Sequence, residues 1–129
     1  MAFVYFNPNP KHRRTSDCTV RALCRVLDMD WEQAYINLFS RGLEMAEMPE
    51  VGTVFKSILR DHGFKMHVVP DTCPDCYTVM DFAEDHPEGI YVVAIDGKTN
   101  HVVAVVSKNW YDTWDSGDEI VSWYMRKER

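Results

Sequence analysis

The sequence predicts an α+β fold in which N-terminal helices pack on a C-terminal antiparallel sheet. Two observations carry this expectation. Between residues 18 and 63 the apolar positions recur at helical spacing, and between residues 90 and 125 the chain is a series of β-branched and aromatic runs separated by turn formers. Helices gathered first, with strands after them, argue against an alternating βαβ order. A chain of 129 residues fits one domain over residues 1–129, able to bury roughly two thirds of its unfolded surface and so to fold without disulfides.

The elements follow in order. AFVYF reads as a short strand, and NPNP stops it, because proline lacks a donor and restricts the residue before it. From Cys18 the residues Val20, Leu23, Cys24 and Leu27 form a helical stripe, with Ser16 or Asp17 as N-cap. A second helix starts at Asp30, where Gln33 completes an approximate capping box, carries Trp31, Ala34, Tyr35 and Leu38 on one face and runs to Gly42. The third uses Phe55, Ile58, Leu59 and His62 and ends at Gly63, since glycine accepts a left-handed cap. KMHVV is a strand, and TVMDFAEDHPEG a short helix closed by Pro87 and Gly89. IYVVAID, HVVAVV, WYDTWD and IVSWYM complete the sheet, with HVVAVV in its middle because it is apolar on both faces.

Composition narrows the function. With 46% hydrophobic residues and no apolar run near the roughly 18 that a span requires, the expected protein has no membrane partner. MAFVYFNPNPKHRR places its positive charge after a short apolar stretch, the reverse of a secretory signal, so a cytoplasmic location is expected. The net charge of -6 is uneven: residues 1–25 hold five Lys or Arg against Asp17, and residues 71–119 hold eleven Asp or Glu against Lys98 and Lys108. Such a basic segment mostly offsets the chain's own carboxylates, and nucleic acid is not the expected partner.

Three residues carry chemistry. A thiol at the start of a helix, as Cys18 is, meets unpaired N–H groups and the positive end of the dipole, which favour thiolate; Arg13 and Arg14 are expected to add to this. The competing reading, a small core filler, suits Cys24 better, because Cys24 lies on the buried stripe and Cys18 is about 120° away from it. His101 opens the strand HVVAVV. If the next turn is the three residues Ser107, Lys108 and Asn109, Val106 faces Trp110 and His101 lies opposite Asp115. A turn one residue shorter or longer would break that pair. Asp112 and Asp118 are then the fallback partners, and Asp115 becomes a turn residue of DSGD. Histidine would take the thiol proton and return it to a leaving group, while the aspartate would fix its tautomer.

The order Cys, His, Asp, carried by SDCTVRAL, HVVAVV and YDTWDS, resembles the papain-like cysteine peptidase superfamily in a compact bacterial or phage-type version. The resemblance implies a papain-like fold, a peptide or protein substrate, and a cysteine peptidase or amidase cleaving a peptide or isopeptide bond. It implies Cys18 as nucleophile, His101 as general base and Asp115 as third member. Six residues before the nucleophile the superfamily commonly has glutamine, whose side chain helps hold the oxyanion, and this chain has His12. His12 or Asn9 would then supply that donor beside the backbone N–H of Cys18. The alternative function is a papain-like binding or regulatory module without turnover.

DTCPDC is the remaining cysteine feature. Cys73 and Cys76 with His62 and His67 would supply four zinc ligands, which defines a third class, a metal-stabilised interaction domain. A second cysteine pair at a familiar spacing is missing, so a plain loop is expected, with no metal and no cofactor.

Overall fold

The computed structural model describes residues 1–69, 77–95 and 101–128. It is an α+β structure of four helices and a six-stranded mixed sheet. In chain order the elements are β1 (Ala2–Tyr5), α1 (Cys18–Leu27), α2 (Trp31–Met45), α3 (Gly52–Asp61), β2 (Phe64–Val68), α4 (Val79–Asp85), β3 (Ile90–Ile95), β4 (His101–Val106), β5 (Asn109–Asp112) and β6 (Val121–Lys127). The spatial order is β1-β5-β4-β3-β6-β2.

Two expectations about the sheet are corrected. It is not purely antiparallel, because β1 runs parallel to β5, with Ala2 opposite Asn109 and Tyr5 opposite Asp112. Nor is it wholly C-terminal, since both edges, β1 and β2, come from the first 68 residues. The interior place expected for β4 is found, between β5 and β3.

The alternation of side chains along β3 and β4 explains their near-continuous apolar sequence. Val92, Ala94, Val102 and Ala104 face a core with Leu23 of α1, Leu38 of α2 and Phe55 of α3. Val93, Val103 and Val105 face the opposite core, which Val79 and Phe82 of α4 close. A central strand buried on both faces has no polar side to show. The capping box expected at the start of α2 is present: Gln33 N–H donates to Asp30 Oδ1 at 2.8 Å and Asp30 N–H to Gln33 Oε1 at 3.2 Å.

The β4–β5 connection holds two residues, not three. Val106 pairs with Asn109, and Ser107 and Lys108 both have positive φ, 50° and 71°. This is the tight turn whose twist matches that of antiparallel strands, and it normally uses Asn-Gly. The pair Ser107→Asn, Lys108→Gly is therefore expected to stabilise the protein by about 0.5–1 kcal/mol, because glycine relieves the left-handed strain. A denaturant titration checks this; a lower midpoint would contradict it.

WYDTWD was expected to be strand throughout, but β5 stops at Asp112. There the aspartates turn onto the backbone instead of the ladder: Thr113 N–H donates to Asp112 Oδ1 at 2.7 Å and Gly117 N–H to Asp115 Oδ1 at 3.0 Å. Cys73 and Cys76 lie outside the described residues. Among the described residues no helix is long and apolar enough to cross a membrane.

Candidate active site

α1 places Cys18 at its first position, and the sheet brings β4 up to it. Arg21 N–H makes the first intrahelical bond, to Asp17 O at 2.8 Å, so the N–H groups of Cys18, Thr19 and Val20 precede the helical ladder. Cys18 is partly buried, shares a hydrogen bond with the imidazole of His101, and its sulfur also accepts from the N–H of Val102. His101 Nε2–H in turn donates to Asp112 Oδ2 at 2.7 Å, which leaves Nδ1 for the sulfur.

The two-residue turn decides which aspartate meets the histidine. With Val106 opposite Asn109, the pairing sum falls by one from that expected, and the continued ladder sets Trp114, not Asp115, across from His101. Asp112 is the diagonal neighbour, two positions back along β5. Asp115 is corrected to a turn residue: its Oδ1 accepts from Trp110 Nε1–H at 2.8 Å and from Gly117 N–H at 3.0 Å. Trp114 stacks on His101 with ring centroids 5.2 Å apart and covers one face of the imidazole.

Asp112 is held on all sides. It is 1% exposed, and its Oδ1 accepts from Arg21 Nη2 at 3.0 Å and from Thr113 N–H, while Oδ2 accepts from His101 and from the Ser116 hydroxyl at 3.0 Å. Its own carbonyl accepts from Phe6 N–H at 2.8 Å, so the N-terminal strand pins the backbone beneath the carboxylate. Arg21 also pairs with Asp17, whose Oδ2 accepts from Trp31 Nε1–H at 2.9 Å. Arg21 and Ser116 were missed in the sequence. Arg21 left a trace, an acid and a base at i, i+4 in Asp17 and Arg21; Ser116 left none.

The electrostatics follow from these contacts. Burial opposes ionisation of Cys18, but the His101 hydrogen bond, the Val102 N–H and the charges of His101 and Arg21 outweigh it and lower the thiol pKa. The cation that acts is Arg21; the expected Arg13 and Arg14 are exposed. Burial would depress His101, yet the bond to Asp112, the bond to Cys18 and their charges raise it to about 9. For Asp112, burial raises the pKa and is outweighed by His101, Thr113 N–H and Arg21, which hold it low. Cys24 goes the other way. Burial, then Asp30 and Asp17, push it to about 11, as befits a core filler.

Cys18 and His101 open on a cleft of about 520 Å³ with Phe55 and Trp123 among its walls. A bulge between β3 and β6, where the register shifts at Ala94 and Ile95, lies on its rim, and Lys56 sits 4.3 Å over the Trp123 ring. A second groove of about 420 Å³, with Trp31, Tyr35 and Phe39 along α2, meets the first at Ser16, Thr19 and Glu50.

The expected oxyanion donors, His12 and Asn9, are not among the residues that line the cleft. His12 is exposed at a positive φ of 55°, and Asn9 lines the second groove and uses its Oδ1 on Lys11 N–H at 2.9 Å. The loop before α1 turns back on itself, with His12 N–H bonded to Asn9 O at 2.9 Å. His62 and His67 each have a partner of their own: His62 Nδ1–H donates to Ile58 O at 2.9 Å, and His67 Nε2 pairs with Glu128 Oε1 at 2.9 Å. Among the described residues no group of three His, Cys, Asp or Glu is arranged to hold a metal ion.

Comparison with protein-family models, curated proteins and solved structures finds no match for this chain.

Proposed function

We propose that the protein is a papain-like cysteine peptidase or amidase that cleaves a peptide or isopeptide bond. The observation that carries this reading is the unbroken line Cys18, His101, Asp112 at a cleft, starting from a helix N-terminus. In the reaction the Cys18 thiolate attacks the substrate carbonyl carbon, and the electron pair of the C=O bond moves to oxygen. The backbone N–H of Cys18 is the donor assigned to that oxygen. As the C–N bond breaks, imidazolium gives its proton to the leaving amine, and the acyl group stays on sulfur as a thioester. His101 then takes a proton from water, the hydroxide displaces the thiolate, and the acid product leaves. Asp112 holds the proton of Nε2 throughout. The two grooves meeting beside Cys18 suit an extended polypeptide, with bulky apolar side chains against Phe55, Trp123 or the α2 aromatics.

One observation favours the silent-module alternative: neither His12 nor Asn9 lines the cleft, so neither supports an oxyanion there. Reactivity separates the two readings. An alkylating reagent at pH 6.5 is expected to label Cys18 at least about tenfold faster than Cys24, since the former is shifted down and the latter up. Peptide cleavage should follow a bell-shaped pH profile. The acid limb comes from protonation of the thiolate, below its ordinary value, and the alkaline limb lies near pH 9, where His101 loses its proton. Peptide mass mapping and cleavage of a fluorogenic peptide library check both parts. Labelling without any cleavage would leave the binding module; slow labelling of Cys18 would end the peptidase reading.

A further inference from the structure

Asp17 holds the N-cap position of α1, where aspartate ordinarily turns its carboxylate onto the first-turn N–H groups. It makes no such bond. Oδ1 goes to Arg21 Nη1 and Oδ2 to Trp31 Nε1–H, so both oxygens point away from the helix start. The second guanidinium nitrogen of Arg21 carries Asp112. Arg21, Asp17 and Asp112 are 5%, 6% and 1% exposed, so this is a buried, fully engaged charge group and not a surface pairing.

We propose that Arg21 is a positioning residue that draws the N-cap carboxylate of Asp17 away from the start of α1 and ties Asp112 to the same helix, leaving the first-turn N–H groups to the Cys18 sulfur and to the oxygen of an attacked carbonyl. A carboxylate left to cap this helix would occupy those donors and add a negative charge beside the thiolate, and both effects disfavour ionised sulfur. The planar fork of arginine suits the task because its two nitrogens bind two carboxylates at once, which a point-charge ammonium does not do. Trp31 completes the arrangement from α2 by fixing the oxygen that Arg21 leaves. The charged groups at the sulfur and its cleft are His101 on β4, Arg21 on α1 with Asp17 at its N-cap, Asp112 on β5 through His101, and Glu50 and Lys56 among the residues that line the cleft.

The inference rests on Cys18 as the reactive group of the proposed function, but its readout is the thiol alone. The test measures the pH dependence of Cys18 alkylation in the wild type, Asp17→Asn, Arg21→Met and the double variant, with Cys24 labelling as a check on loosened packing. Asp17→Asn alone is expected to move the midpoint by less than about 0.3 units, since its charge is already withdrawn. Arg21→Met should raise the midpoint by about one unit, cutting labelling at pH 6.5 about tenfold, and adding Asp17→Asn should return at least about half of that shift. Cys24 should stay slow in all four; a purely structural Arg21 would expose both cysteines together. If Arg21→Met loses its cooperative melt, the same comparison is read on Arg21→Lys, with a smaller shift of the same sign. An unchanged midpoint, or a shift that Asp17→Asn does not reduce, overturns the proposal. Peptide cleavage is followed in parallel: the expected labelling pattern without cleavage sinks the peptidase reading alone, and cleavage with the wrong pattern sinks this one.

Discussion

Asp112→Asn is expected to slow acyl transfer about 10³- to 10⁴-fold, while Asp115→Asn changes it less than about twofold. The difference comes from what each carboxylate accepts. Asp112 takes Arg21 and Thr113 N–H on Oδ1, and His101 and Ser116 on Oδ2. An asparagine has one acceptor oxygen, and two donors that cannot be turned away, Arg21 and the Thr113 amide, claim it. Its NH₂ group then faces His101 Nε2, which must accept. The imidazole proton moves to Nδ1, on the thiol side, and the ring no longer takes a proton from sulfur. Loss of the carboxylate also removes the group that keeps His101 high, so any residual alkaline limb should fall from near pH 9 toward the ordinary 6.5. Among the described residues Asp115 accepts from Trp110 Nε1–H and Gly117 N–H on a single oxygen, and an asparagine carbonyl does the same. Single-turnover acylation by an activated ester, together with imidazole nitrogen shifts, measures both effects. Slower acylation by the Asp115→Asn protein beside an unaffected Asp112→Asn would reverse the assignment.

Why the sequence pointed to the wrong aspartate is a matter of one residue. Spacing alone located Cys18 at a helix start and His101 at a strand start, because helical stripes and continuous apolar runs are local signals. The partner of His101 depends on the length of a turn, and Ser107-Lys108 lacks the Asn-Gly signature of the two-residue kind that it forms. Register errors of one residue exchange neighbours wholesale, which is why Asp112 and Asp115 traded places. The parallel pairing of β1 with β5 was hidden for a different reason: its partners are about a hundred residues apart, and AFVY carries no mark of direction. Arg21 was hidden by its surroundings. A charged residue among Val20, Ala22 and Leu23 reads as solvent-facing until the two carboxylates that accompany it into the interior are known.

Removing the imidazole is expected to have the largest effect of all. Of the contributions that lower the Cys18 pKa, His101 supplies the leading one, its hydrogen bond, and a coulombic one as well; Val102 N–H and Arg21 remain against the burial that raises it. His101→Ala should therefore move the thiol up, slow its alkylation at pH 6.5 about 100-fold and abolish cleavage to at least about 10⁴-fold below wild type, since no group remains to protonate the leaving amine. The variant leaves a hollow under Trp114, bounded by Asp112 and the sulfur, so added imidazole should restore part of both rates, and the thermal melt should remain cooperative. Rescue is informative because a merely disordered cleft would not recover with a small base. If Cys18 kept its rapid labelling without His101, the helix start and Arg21 alone would account for the reactive thiol. His101 would then have no part in activating the thiol, and the result would favour the alternative of a binding module with an activated cysteine.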